Sequence, residues 1–210
     1  KTYFTFEPSI ATDKDGNIII AWYEQDPVSS LNKIYVKHWN GSEWTQLGTA
    51  LNTATDSSAD YPSLVMDYQN RPVLAWHETD TTFKSTINLK RWNGSSWETI
   101  GTASSSVTID EGEFPSLAIT PDNTPVIAYA KNADIFVKLW NGSSWVNWDG
   151  AGALDDSATQ NASRPSLVIL GNTMSNLIPF VAFEETENSS QPSSNVYVKY
   201  YDAASFAWKD

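Results

Sequence analysis

Apolar and polar positions alternate along this chain in short β-prone segments, and one frame of them recurs four times. Each copy opens on Pro-Ser-(Ile/Leu), at Pro8, Pro62, Pro115 and Pro165, spaced 54, 53 and 50 residues apart. Each then runs through an apolar stretch to Ala plus an aromatic: Ala21-Trp22, Ala75-Trp76, Ala128-Tyr129 and Ala182-Phe183. A third segment ends in Val36-Lys37, Leu89-Lys90, Val137-Lys138 and Val198-Lys199. Trp-Asn-Gly-Ser-x-Trp follows at Trp39–Trp44, Trp92–Trp97 and Trp140–Trp145, and decays in the fourth copy to Tyr201-Asp-Ala-Ala-Ser-Phe206.

The third copy is the most compact and shows the elements best. Residues 115–120 predict a short strand, and the turn 121–124 places Asn123 where a positive φ is needed. Gly16 and Asn70 match it, and Gly and Asn tolerate the left-handed region. Residues 125–129 predict a second strand and 135–140 a third. Asn141-Gly142 is a hairpin signal, and 144–148 predict a fourth strand. Period-2 alternation puts Tyr35 and Lys37 on one face of the third strand, Ile34 and Val36 on the other. Four short strands per unit at a period near 50 predict an all-β propeller with four repeats, each a four-stranded antiparallel blade. The blades run approximately over 8–61, 62–114, 115–164 and 165–210 of a single array, with 1–7 as an N-terminal strand. The fourth copy carries four extra residues in its first turn, around Gly171–Asn176.

The first–second and third–fourth turns are short and alike between copies. The second–third loops and the blade-to-blade connectors are long and unlike one another, and alternating strand direction sends both to one face. Divergent loops on a regular scaffold are where binding concentrates. That face is acidic: Asp26, Asp56, Asp60, Asp80, Asp110, Glu111, Glu113, Asp155, Asp156, Glu185 and Glu187.

Charge and composition narrow the partners. A net charge of −12 argues against nucleic acid and anionic membrane surfaces. No apolar run approaches the ~20 residues of a membrane-spanning helix, so no membrane insertion is expected. The absence of Cys removes disulfides, zinc thiolates and thiol catalysis. The ten Trp are accounted for mostly by four repeats that each need bulky packing residues. The chain opens at Lys1 with no signal-like stretch, which reads as a mature or excised segment. Its Ser/Thr/Asn/Asp-rich surface suits an extracellular or cell-surface setting.

The frame Pro-Ser-Leu-Ala…Ala-(Trp/Tyr)…Val-Lys-x-Trp-Asn-Gly-Ser-x-Trp resembles the repeats of bacterial and archaeal secreted β-propellers over residues 8–210. The resemblance implies an extracellular propeller. It does not imply an activity, because propellers host lectins, hydrolases and scaffolds. The sialidase Asp-box is lacking, and Thr12-Asp-Lys-Asp-Gly16 matches it only in part.

Candidate chemistry divides as follows. The three arginines fall in a turn-face loop (Arg71), a third strand (Arg91) and a long-loop connector (Arg164), and are not expected to form one carboxylate-binding pocket. His38 and His77 read as exposed strand residues. Asp13 and Asp15, in Asp13-Lys-Asp-Gly-Asn17, are candidate calcium ligands, although a turn explains this position in every copy. No other cofactor is indicated. Lys37, Lys90 and Lys138, Glu24 and Glu78, and the ladder Trp39, Trp92 and Trp140 are the candidate ligand-binding set. They also read as cross-strand pairs and inter-blade packing. Glycosylation sequons stand at Asn40, Asn93 and Asn141 in the hairpin turns, and at Asn161 and Asn188 in long loops.

The four copies are in phase, so no blade is shared between the termini. Tyr3, Phe4 and Phe6, with Phe206 and Trp208, are therefore candidate assembly residues, a terminal strand being added within the chain or head-to-tail to a neighbour. The expected function is non-catalytic interaction or self-assembly at a cell surface, with other copies of the chain or other surface proteins as partners. A carbohydrate-binding lectin with glycan sites between blades or on the loop face is the second reading, and a glycoside hydrolase the third.

Overall fold

The computed structural model describes residues 5–101, 109–148, 152–154, 160–187 and 193–210. Sixteen strands form four antiparallel sheets, each in sequential order. The first holds β1 (Thr5–Thr12), β2 (Ile18–Gln25), β3 (Asn32–Trp39) and β4 (Trp44–Gln46). The second holds β5 (Ser58–Met66), β6 (Pro72–Thr79), β7 (Ser85–Trp92) and β8 (Trp97–Thr99). The third holds β9 (Glu113–Ile119), β10 (Pro125–Lys131), β11 (Asp134–Trp140) and β12 (Trp145–Asn147). The fourth holds β13 (Gln160–Leu170), β14 (Ile178–Glu187), β15 (Ser194–Asp202) and β16 (Ala207–Lys209), with a 3-10 turn at Met174–Asn176 in the expected insertion.

Local chemistry explains the turns. The Asp13 carboxylate accepts the amides of Asp15 and Asn17 at 2.9 and 2.8 Å, and Asp67 accepts those of Gln69 and Arg71 at 3.0 and 2.9 Å. In the third copy the Thr120 hydroxyl accepts the Thr124 amide at 3.0 Å. These side chains mimic a backbone turn and set up the positive φ of Gly16, Asn70 and Asn123 (83°, 63° and 68°). The second hairpin is a four-residue loop rather than the two-residue Asn-Gly turn. Asn40, Asn93 and Asn141 each fold their side-chain oxygen onto the two amides ahead. The flanking tryptophans pair across the hairpin, with centroids 5.5 Å apart for Trp39–Trp44, 5.6 Å for Trp92–Trp97 and 5.8 Å for Trp140–Trp145.

Three expectations shift. Every first strand begins before its Pro-Ser, so residues 5–7 are no separate N-terminal strand: Thr5 and Phe6 pair with Glu24 and Tyr23 inside the first sheet. In the fourth sheet the partner of Tyr201 is Trp208, at 5.7 Å, while Phe206 sits in the turn with φ 52°. Phe6 and Trp208 thus belong to their own blades, and Tyr3 and Phe4 lie outside the described residues. Asn161 is in β13, paired with Thr186, not in a loop; Asn188, Asp155 and Asp156 lie outside the described residues.

The chain divides into two compact units, Lys1–Glu111 and Gly112–Asp210. Both use one packing scheme. In the first, Ile19, Ala21, Ile34 and Val36 pack on Leu64, Leu74 and Trp76. In the second, Val126, Ala128, Ile135 and Val137 pack on Leu167, Val181 and Phe183. These are the same repeat positions, and they confirm the predicted facing of Ile34 and Val36.

Candidate functional site

The residue in front of each repeated Pro-Ser is held in the left-handed region: Glu7, Tyr61, Phe114 and Arg164, at φ 52°, 55°, 53° and 49°. At each of these places the pairing between the first two strands slips by a bulge. A bulge re-aims a side chain, and a non-glycine residue at positive φ costs roughly 1–3 kcal/mol. That cost is borne four times, by four chemically different side chains, at the end of the strand pair where the long loops emerge. Backbone strain of this kind gathers at functional sites.

In the first unit two bulges bring together a polar cluster. The Tyr61 ring stacks on His77 at 5.3 Å, and His77 pairs in register with Asp60. His77 is buried, not the exposed strand residue expected. The amide of Asn32 donates to the Asp60 carboxylate at 2.5 Å, and the backbone N–H of Asn32 donates to the Ser58 hydroxyl at 2.9 Å, which fixes one strand end against the next. Burial pushes the Asp60 carboxyl above its ordinary pKa, against the Asn32 hydrogen bond and nearby His77, which pull it down. Tyr23, with Phe6 at 5.5 Å, is pushed up to about 12 by burial first and then by Glu7, Asp60 and Tyr61. The second unit pairs different chemistry at the same positions: the Arg164 guanidinium lies 5.7 Å over the Phe114 ring and 3.8 Å from Glu184.

The residues singled out from sequence fall elsewhere. Glu78 is buried and accepts five hydrogen bonds, from Trp76 Nε1, the Thr53 amide and hydroxyl, the Ala54 amide and the Ser57 hydroxyl. Lys90 lies over Trp76 at 5.7 Å and donates to the Leu51 carbonyl at 3.1 Å. This pair fastens the connector from the first blade to the second. Lys37 and Lys138 lie over Trp22 and Tyr129, at 5.8 and 6.0 Å. In the first blade, Glu24, Lys37, Phe6, Ile20, Trp22 and Trp44 line an open groove of about 520 Å³. Trp39, Trp92 and Trp140 serve the hairpins.

Arg71 and Arg91, expected apart, converge on Asp67, at 2.8 and 3.1 Å. Asp13 and Asp15 fall in the first turn of the first blade. The Asp13 oxygens take the turn amides and the Asn17 side chain, and Asp15 is exposed. Among the described residues no group of three or more His, Cys, Asp or Glu could hold a metal ion. His38 stands 3.7 Å from Asp13 in that turn.

Sequence reasoning missed Glu7, Tyr61 and His77 as a set. The signal was present: an invariant Pro-Ser preceded by a different chemistry-bearing residue in each copy.

No family model matches the chain, and no curated protein matches it. Solved structures do. A protein of unknown function from Dyadobacter fermentans superposes with TM-score 0.68 at 9% identity, over 99% of this chain and 68% of that one. The Hadza microbial sialidase Hz136 gives TM-score 0.67 at 10% identity, over 98% and 44%. The α-L-arabinanase of Penicillium chrysogenum, complexed with arabinobiose, gives 0.67 at 15% identity, over 93% and 62%. The fold is a β-propeller. At these identities the propeller likeness carries architecture alone, and the chain spans 44–68% of the length of these three. It nevertheless corrects the expectation of a non-catalytic chain. That expectation rested on no catalytic set standing out among the histidines, arginines and carboxylates, and a sialidase and an arabinanase are among the similar structures.

Proposed function

We propose that this propeller carries a carbohydrate-processing site at the bulged strand ends, with Asp60 as the group that exchanges a proton at a glycosidic bond. The observation that carries the reading is the Asp60 carboxyl: half-buried, raised in pKa by that burial, oriented by Asn32 and backed by His77. A carboxyl held protonated beyond the usual range is what general-acid cleavage of a glycoside needs. Glu7 supplies a second carboxylate beside Tyr23, and glycoside hydrolysis uses such a pair. Phe6, Tyr23 and Tyr61 offer aromatic faces on which a sugar ring can lie. The sialidase and the arabinobiose-bound arabinanase among the similar structures support the substrate class. An extracellular setting, where polysaccharides are met, belongs to the same reading.

The test is release of reducing ends or 4-nitrophenol from a panel of aryl glycosides, arabinan and sialylated glycans. Turnover by the native chain, abolished in an Asp60→Asn variant that still unfolds in one cooperative transition no lower in temperature, is the expected result. Turnover that survives Asp60→Asn overturns the assignment of Asp60, and absence of turnover on the whole panel overturns the activity.

A further inference from the structure

The turn side of the first unit holds a cavity that the chemistry at Asp60 does not use. It measures about 160 Å³, and its walls include Asp13, His38, Leu47, Met66, Asn70 and Trp92. Asp13 stands in the β1–β2 turn and Asn70 in the β5–β6 turn, while His38 and Trp92 close β3 and β7. All of them belong to the first compact unit. Asp60 and His77 lie toward the opposite ends of β5 and β6, so the two places are separate. The volume is many times the 10–15 Å³ or so that one water needs, and falls short of the ~300 Å³ of a drug-sized site. That is the size class of a single sugar ring.

The polar groups of the cavity are held in place with bonding capacity to spare. Asn70 Oδ1 accepts the Lys14 amide at 2.7 Å, which ties the two turns together and leaves Nδ2 as a donor. Asp13 is fixed by the Asp15 and Asn17 amides and by the Asn17 side chain. His38 Nε2 stands 3.7 Å from Asp13 Oδ2, wider than a hydrogen bond, and the His38 side chain is only 27% exposed. Among the described residues neither ring nitrogen of His38 has a hydrogen-bond partner. The apolar wall is held as well. The Leu47 carbonyl accepts Trp97 Nε1 at 2.8 Å, and Trp97 packs on Trp92 with centroids 5.6 Å apart.

The fold does not require this polar corner. At the matching corner of the second unit Leu139 replaces His38 and Trp148 replaces Leu47, and Thr120, Ile169 and Tyr201 stand for Asp13, Met66 and Trp92. The backbone is the same: Leu47 and Trp148 donate their N–H groups to the Val36 and Val137 carbonyls, both at 2.9 Å. There the Trp148 ring stands edge-on to Tyr201 at 6.4 Å, and Leu139 and Ile169 pack with it on the core. The first unit keeps a smaller side chain and three polar groups in that place. We infer that the corner binds a single neutral sugar residue, as a recognition site apart from the chemistry at Asp60. A hydroxyl seated between His38 and Asp13 donates to the carboxylate and accepts from the imidazole N–H, and Asn70 Nδ2 donates to a neighbouring hydroxyl. Trp92, Met66 and Leu47 take the C–H face of the ring. The Asp13 carboxylate disfavours an anionic ligand. Neither Asp60 nor His77 enters this inference.

The chain has two histidines, so their imidazole NMR signals report the two places separately, and His38→Leu assigns them. The probes are methyl glycosides of neutral hexoses and pentoses, with glycerol as the control polyol. At least one glycoside is expected to shift the His38 signals saturably at millimolar concentration, in the native chain and equally in Asp60→Asn, while glycerol does not. Leu47→Trp, which copies the second unit, should weaken the response at least about tenfold. Asn70→Gly should do the same through the lost amide hydrogen bond, and it keeps the positive φ that Gly16 has in the first blade. Melting curves show that each variant is folded; if Leu47→Trp is not, Asn70→Gly decides. A panel that leaves His38 unmoved overturns the inference, as do shifts confined to His77 and a response that glycerol matches. So does a His38 response that a folded variant leaves undiminished.

Discussion

The hydroxyl of Ser9 accepts the backbone N–H of Leu64 at 3.0 Å, and this bond ties the first strand of one blade to the first strand of the next. It recurs as Ser116 to Leu167 at 2.9 Å. The recurring Pro-Ser-Leu is thereby explained: its serine serves the following blade and its third residue serves the preceding one. Ser9→Ala or Ser116→Ala should each cost about 1 kcal/mol, the net worth of a neutral hydrogen bond. Denaturant unfolding measures this, and a loss below experimental error in both variants would refute the junction role.

Glu78 and Glu24 occupy the same repeat position with different surroundings. Glu78 is buried among five donors, whereas Glu24 receives Trp22 Nε1 at 3.5 Å in an open groove. Glu78→Gln turns a donor against donors and should cost about 3 kcal/mol. Glu24→Gln should cost under about 1 kcal/mol. Equal losses in parallel unfolding curves would show that the connector Leu51–Ser57 is not held through this carboxylate.

Asp60 has its pKa raised by burial, so its protonated form is favoured in the folded state. The stability tied to that proton is fully present below the ordinary carboxylate pKa and is lost as pH rises through the raised value. Asp60→Asn should therefore raise the melting temperature relative to the native chain near neutral pH. The difference should shrink toward zero in acid. A difference that is flat with pH would mean Asp60 ionises normally.

Asp202 behaves in the opposite sense. Hydrogen bonds from Lys209, Ser205 and the Ala204 amide lower its pKa to about 2. Its contribution is present above the usual Asp pKa and is lost as pH falls through about 2. Amide exchange in Ala207–Lys209 should accelerate over that acid window, while strand Ile178–Glu187 of the same sheet stays protected. Unchanged protection of Ala207–Lys209 at pH 2 would refute the role of Asp202 as the clasp of the last hairpin.

The fold was readable because its determinants are local and repeated. Gly16, Asn70 and Asn123 mark a positive φ, Asn40-Gly41 a hairpin, and alternation at Ile34–Lys37 a buried face. The fourth hairpin misled because its ladder runs one pair further, Asp202 with Ala207 beyond Tyr201 with Trp208, before a loop that is again four residues long, which put Phe206 in the apparent frame. The site was far less legible. Glu7 and Tyr61 are aimed by bulges, and His77 is buried by tertiary packing that no strand period reveals. Arg71 and Arg91 meet because a turn and a third strand end beside the same Asp67 carboxylate, a coincidence of space and not of spacing.

The strained position ahead of Pro-Ser has a consequence for how such a protein changes over generations. Its backbone is dictated by the bulge and by the proline that follows, and the chain has accepted an acid, a phenol, a phenyl ring and a guanidinium there. On the proposed reading, the chemistry offered at the bulged strand ends can be rewritten one residue at a time while the backbone that holds it stays the same.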